Sequence, residues 1–487
     1  MAIKLPFLPP LRLHSPFWQN VLMGVIVGLT AGLYQSLTSL GAGGLRANSA
    51  HTVEVVNATL CATWFVASLL SGTVLNLVGP SWTAALGVFG YAFYVAGLWY
   101  FDATGQTWFP IVGGVLIGIS AGLIFVVMGT IAMTYSEEDE RGSFITLSQN
   151  LQALGAAVAG FIDLMINRNR ASADGVPVAV YIIVLSFMGV GACLAFALRP
   201  PSRVTREDGT SVATAITTTT AGTGTRGQGR TVAEELRASW DAMKNWDLLL
   251  MIPAFLPSEC FLVYGGSANA FRNNLRTRTL LSFVAVVLQI PAAYGLRLVL
   301  DHAAWKRRTR ALVGLGLVGA PLVAAWVWQM VEVRHYDRGT PTPANALVDW
   351  TDPGFAADFF LFTLTWVSSV LFQYIILYFL SCMTNSPRKA ANYAGVYRSF
   401  LAAGEAVVFG IDSAGVSFLT MAAVLFAFYA AGVFVFLYLA LFHITETQYF
   451  TGEDDVVIPQ HVLEAHEVAG QGMDEEDAKG PADSVKA

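Results

Sequence analysis

Apolar residues fall in long blocks along this chain, separated by short polar breaks. A helix needs about 20 mostly uncharged residues to cross a ~30 Å hydrocarbon core. Blocks of that kind run over 18–41, 54–78, 82–101, 108–134, 143–166 and 177–198. They resume over 247–268, 279–300, 311–331, 356–381, 391–411 and 415–442. The pattern predicts six crossing helices, a gap, and six more. The 391–411 block holds Arg398 and Glu405 and ends next to Asp412; without it the count falls to eleven. The gap, 199–246, is rich in Thr and Gly with scattered Arg, a linker composition. It ends in TVAEELRASWDAM, whose spacing fits an amphipathic surface helix. The expected organisation is a short tail (1–17) broken by four prolines, a bundle (18–198), the linker (199–246), a second bundle (247–442) and an acidic tail (443–487). The GEDD and DEED runs of that last segment read as mostly disordered.

Composition sharpens this picture. The chain has 487 residues, 55% hydrophobic and only 13% charged, with a mean hydropathy of +0.55. An ordinary soluble domain carries about 25% charged residues. The fold class is therefore an all-α membrane protein whose first partner is the lipid bilayer. The net charge is −6, with no basic stripe, so nucleic acid is not a partner. Cys61, Cys193, Cys260 and Cys382 stand in separate apolar runs, without metal spacing, and read as packing residues. No HExxH, Walker loop, CxxC or GxSxG run exists, so no enzyme, cofactor or metal is expected. If the N-terminus is cytoplasmic, the cytoplasmic tail and loops hold sixteen Lys and Arg against eight on the other side. That bias places both termini and the linker in the cytoplasm of a multi-pass protein.

The fifth and eleventh blocks resemble each other. LGAAVAGFID, ending at Asp163, aligns with AGEAVVFGID, ending at Asp412, at an offset of 249 residues. Gly155 then pairs with Gly404, Ile162 with Ile411 and Ser143 with Asn392. A repeat in these positions is what duplication of a six-helix unit requires. Two parallel six-helix halves joined by a linker are the layout of the twelve-helix major-facilitator-type fold, whose substrate site lies at mid-depth between the halves.

Several runs carry a closer resemblance: LYQSLTSLGAGG (Leu33–Gly44), TYSEEDERGSF (Thr134–Phe144), TNSPRKAANYAGVYRSFLAAGEAV (Thr384–Val407) and PQHVLE (Pro459–Glu464). Together they resemble the uncoordinated-93 (Unc-93-like) family of the major facilitator superfamily, particularly its fungal branch. The resemblance implies a twelve-helix facilitator fold but no single substrate, since members are described as transporters, channel regulators and trafficking partners. The chain departs from well-studied facilitators between its second and third blocks. There VGPSW (Val78–Trp82) stands in place of a GxxxDRxGRR-like signature.

Ionisable residues in hydrocarbon cost about 2.5–3.5 kcal/mol on insertion scales and are functional candidates by default. Arg398, Glu405 and Asp412 are spaced by seven and form a stripe on one helix face. They line a cavity on one reading and make packing salt bridges on the other. Glu259 lies between helix-breaking prolines 253 and 257 and the rest of the seventh block, where freed carbonyls must find partners or line a cavity. In the first block, Tyr34, Gln35 and Thr38 form a polar cluster, and Gly24, Gly28 and Gly32 form a small-residue stripe suited to close helix packing. The substrate and proton candidates are Glu259, Glu405, Arg398, Tyr34, Gln35 and Thr38. The expected function is alternating-access transport of a small organic molecule, with proton coupling through a mid-depth carboxylate as one form of it. The alternative is a facilitator-fold protein that no longer transports and instead regulates or escorts a partner membrane protein.

Overall fold

The computed structural model describes residues 12–34, 49–168, 178–214, 231–340 and 346–468. The first six crossings are α1 (Pro16–Val27, continued by a π-helical turn at Gly28–Gly32), α2 (Ser49–Val78), α3 (Pro80–Thr104), α4 (Trp108–Thr134), α5 (Arg141–Asn167) and α6 (Val178–Ala195). The second six begin with α7, which is broken into Trp246–Leu250, Ile252–Phe255 and Cys260–Arg272. They continue as α8 (Leu275–Leu300), α9 (Arg307–Val333), α10 (Phe355–Met383), α11 (Pro387–Ser413) and α12 (Phe418–Phe442). Ten of these are unbroken helices long and apolar enough to cross a membrane. The other two, α1 and α7, are interrupted by a π turn and by a proline-flanked break. The charged 391–411 block is a full helix, so among the described residues the count is twelve rather than eleven.

Local chemistry sets the boundaries. VGPSW closes to a single hinge residue, Gly79, at φ +87°, with Pro80 in the first turn of α3, where a missing N–H costs nothing. Gly105, left-handed, ends α3 by donating its N–H to Phe101 O. The surface helix (Val232–Ala242) starts with a reciprocal capping box between Thr231 and Glu234.

Two pairs of helices carry the main contact between the halves: α2 against α11, and α5 against α8. A six-helix repeat interchanges these pairs. The repeat shows at atomic detail in two glycines. A Cβ on Gly155 of α5 would overlap the Gly28 carbonyl at the π turn of α1, and a Cβ on Gly404 of α11 would overlap the Leu256 carbonyl at the break in α7. Residues paired by sequence offset thus do the same work against the two interrupted helices. Gly24, Gly28 and Gly32 all face α5, which is the packing role their spacing suggests.

The end of the bundle where α1 begins and α12 ends is sealed. Arg141 donates to Ser381 O (2.7 Å) and to Asn385 Oδ1 (2.5 Å). Asn385 donates to Glu138 (2.8 Å), which also pairs with Arg307 at 3.3 Å. The first N–H groups of α5, at Gly142 and Ser143, point at the Asp301 carboxylate (2.7 and 2.6 Å) just after α8. By the repeat, α11 needs an acid supplied just after α2, where Val78–Gly79 offers none. Instead Glu453 and Asp455, beyond α12, take that place. Glu453 accepts from Asn385 N and Ser386 N (3.1 and 3.0 Å), and Asp455 from Ser386 Oγ (2.7 Å). Residues 446–468 are therefore a strap rather than a disordered tail, because two of their acids meet a helix N-terminus and their backbone meets the linker; the DEED run lies outside the described residues. Arg206 donates to Val457 O at 2.8 Å.

Candidate functional site

Away from the termini the halves part around a cavity of about 770 Å³. Its walls are the outer portions of α1, α2, α3, α4, α5, α7, α8, α10 and α11, so it opens on the side opposite the seal. The break in α7 forms because Pro253 and Pro257 cannot donate to the helical ladder. Its freed carbonyls find partners elsewhere: Tyr429 donates to Pro257 O (2.7 Å) and Gln373 to Ser258 O (3.0 Å). The break leaves Glu259 at the first position before Cys260–Arg272, aimed into the cavity.

The heptad stripe of α11 faces the same space. Arg398 Nη1 bonds Glu259 Oε1 at 3.1 Å, and both side chains are largely buried. The guanidinium also lies 4.4 Å over the Phe125 ring of α4, so one cation ties α7 and α11 to the opposite half. Two turns of helix further on, Glu405 is 7% exposed and lines the cavity. Among the described residues it makes no hydrogen bond or ion pair. Asp412 ends the stripe in an ion pair with Arg338, and it accepts from Ser267 Oγ at 2.9 Å. Asp163, its repeat partner, is buried in the same cavity wall. Tyr34 lines the cavity with its ring edge-to-face against Tyr91 (5.6 Å) and Tyr94 (5.5 Å).

The structure thus brings Glu259, Glu405 and Tyr34 to the wall of one cavity, with Arg398 held beside it by Glu259. Gln35 and Thr38 lie outside the described residues. Sequence reasoning did not find the aromatic wall of Trp64, Tyr91, Phe125 and Trp366, because aromatics in apolar helices carry no periodic mark that separates cavity from lipid. It also gave Asp301, an ionisable residue near the end of the eighth block, no partner. A signal was present there: Gly295, Asp301 and the run Lys306–Arg308 form a looser version of the signature absent after the second block.

Two halves of six helices, broken first and seventh helices and a mid-depth cavity define a major-facilitator-type membrane protein. FucP, a major facilitator superfamily transporter solved in the outward conformation, superposes with a TM-score of 0.58 at 12% identity, covering 88% of this chain and 99% of that one. The family described as "Ion channel regulatory protein UNC-93" matches residues 54–280. An uncharacterised membrane protein of Schizosaccharomyces pombe is 33% identical over 429 residues, 88% of this chain and 84% of its own length. UNC93-like protein 1 of Arabidopsis thaliana is 28% identical over 409 residues, 82% of this chain and 85% of its own. The chain belongs to the Unc-93-like family.

Proposed function

We propose that this chain is a secondary transporter of a small organic molecule, working by alternating access between its two halves. The observation that carries the reading is the cavity: closed at one end by a charged seal, open at the other, with titratable groups at mid-depth. The Lys and Arg bias puts the termini, and so the seal, in the cytoplasm, which makes this arrangement outward-facing. Protease protection of tags at residue 220 and at the C-terminus in intact cells tests that orientation; cleavage of either overturns it.

In this reading Glu405 couples transport to protons. Glu259 already has Arg398 as its counter-ion, whereas Glu405 has none among the described residues and is available to exchange a proton for another charge. Metabolite profiling of cells with and without the chain identifies the compound moved. Flux of that compound in proteoliposomes then tests coupling. Accumulation driven by a pH gradient is expected to stop in Glu405→Gln while passive exchange persists. Unchanged coupling removes Glu405 from the mechanism. The family description supports a second reading, a non-transporting regulator of a partner membrane protein. That reading gains if no compound differs between the cells and the chain instead purifies in stoichiometric complex with a channel or receptor.

A further inference from the structure

The chemistry of the cavity narrows what it accepts. Two charged groups of the wall are already answered by protein: Glu259 by Arg398, and Asp412 by Arg338. Arg278 of α8 also lines the cavity, with a buried Nε that makes no hydrogen bond among the described residues. Among the acids of the wall Glu405 stands apart: more than nine-tenths buried, lining the cavity, and without a hydrogen bond or ion pair among the described residues. The titratable groups that feel its charge are Glu259, Arg398, Tyr34, Tyr91, Cys61 and Cys260. Of these Arg398 is the one cation, and Glu259 holds it.

Much of the lining of the same cavity is aromatic. Tyr34 and Tyr91 come from α1 and α3, Trp64 from α2, Phe125 from α4, Trp366 from α10 and Phe409 from α11. Ring faces attract a cation and offer an anion nothing, and a cage of rings with one acid is how ammonium groups are held in low-dielectric sites. The protein already uses the principle once, with the Arg398 guanidinium over Phe125. A bare metal ion does not need this wall. A space of about 770 Å³ lies within the range that encloses a drug-sized organic molecule.

We infer that the cavity binds an organic cation, an ammonium or similar centre on an apolar or aromatic body, with Glu405 as its counter-ion. The inference names the substrate class for the transport reading and rests on it for its biological meaning, but its test is a binding measurement that needs no flux. Full-length protein in zwitterionic nanodiscs is titrated with two permanent cations, tetraphenylphosphonium and N-methylquinolinium. Their neutral counterparts, triphenylphosphine oxide and quinoline at pH 8, serve as matched shapes, and empty nanodiscs correct for lipid partitioning. Both cations are expected to bind saturably and to displace each other, with the neutral pair at least about tenfold weaker. Glu405→Gln should weaken the cations by about tenfold or more, and Glu405→Asp should retain most of the affinity.

A second measurement avoids any folding defect in the variants. Tetraphenylphosphonium should protect Glu405 of the unmodified chain from carbodiimide labelling, read by mass spectrometry, and triphenylphosphine oxide should not. Equal binding of neutral and charged probes, no binding of either cation, indifference to Glu405→Gln in folded protein, or absence of protection each overturns the inference. If cations fail to bind while an uncharged or anionic compound is carried, this inference falls and the transport reading stands. If cations bind at Glu405 and nothing is carried, the reverse holds.

Discussion

Arg398 shows how one residue can serve packing and the site together. It neutralises Glu259 and stacks on Phe125 in the other half, so losing it leaves a largely buried carboxylate alone. Breaking such a pair costs about 3 kcal/mol, whereas removing both charges costs much less. Arg398→Gln is therefore expected to lower stability by roughly that amount, and Arg398→Gln combined with Glu259→Gln to recover most of it. Thermal unfolding of the four proteins in one detergent gives the cycle; strictly additive losses would mean the contact carries no energy. The stripe of Arg398, Glu405 and Asp412 was legible in the sequence because a period of seven is a property of one helix. The partners of Arg398 and Asp412 were not, since they depend on how α11 stands against α7 and on where the loop bearing Arg338 lies. A spacing of seven on one helix separates Arg398 and Glu405 by about 10 Å, too far for a direct pair, and the structure gives Arg398 Glu259 instead.

At the level of elements, the twelve helices were visible as apolar blocks, and the break in α7 as two prolines beside an acid. The π turn of α1 left no comparable mark, because Gly24, Gly28 and Gly32 suit a straight helix equally well. Gly155 and Gly404 show what the repeat is for: each lets a helix lie against the backbone of its interrupted neighbour. Gly155→Ala and Gly404→Ala should each destabilise by about 1–3 kcal/mol through forced separation of the helices. Gly189→Ala on α6, where an added Cβ meets nothing within 4 Å, should be neutral or stabilising by up to about 1 kcal/mol. Melting temperatures of the three variants test this, and equal effects at all three sites would remove the close-approach argument.

For the molecule as a whole, the transport reading makes the seal the element that sets the balance between conformations, and Glu138 makes the seal sensitive to acid. Burial pushes the Glu138 carboxyl up, but the Arg307 and Arg141 guanidiniums, the Gln448 N–H and the Asn385 amide outweigh it and hold it below its ordinary value of 4.5. A lowered value means that this group's contribution to the seal is complete above about pH 4.5 and is lost as pH falls through the lowered value. Spin labels at Val78 and Arg308, one in each half near the seal, should move apart on acidification through that window. In Glu138→Gln the separation should already be larger at neutral pH and respond less to acid; an identical acid response in both proteins would exonerate Glu138. The strap that completes this seal has a consequence for synthesis. Glu453 and Asp455 are translated after all twelve crossings, so the halves enter the membrane and meet before α11 has its acid partners. A nascent chain is thus an unlatched one, able to sample open arrangements at the termini side until its final stretch leaves the ribosome. Products cut short after residue 445 would insert with every crossing present and yet stay in that juvenile, leaky form.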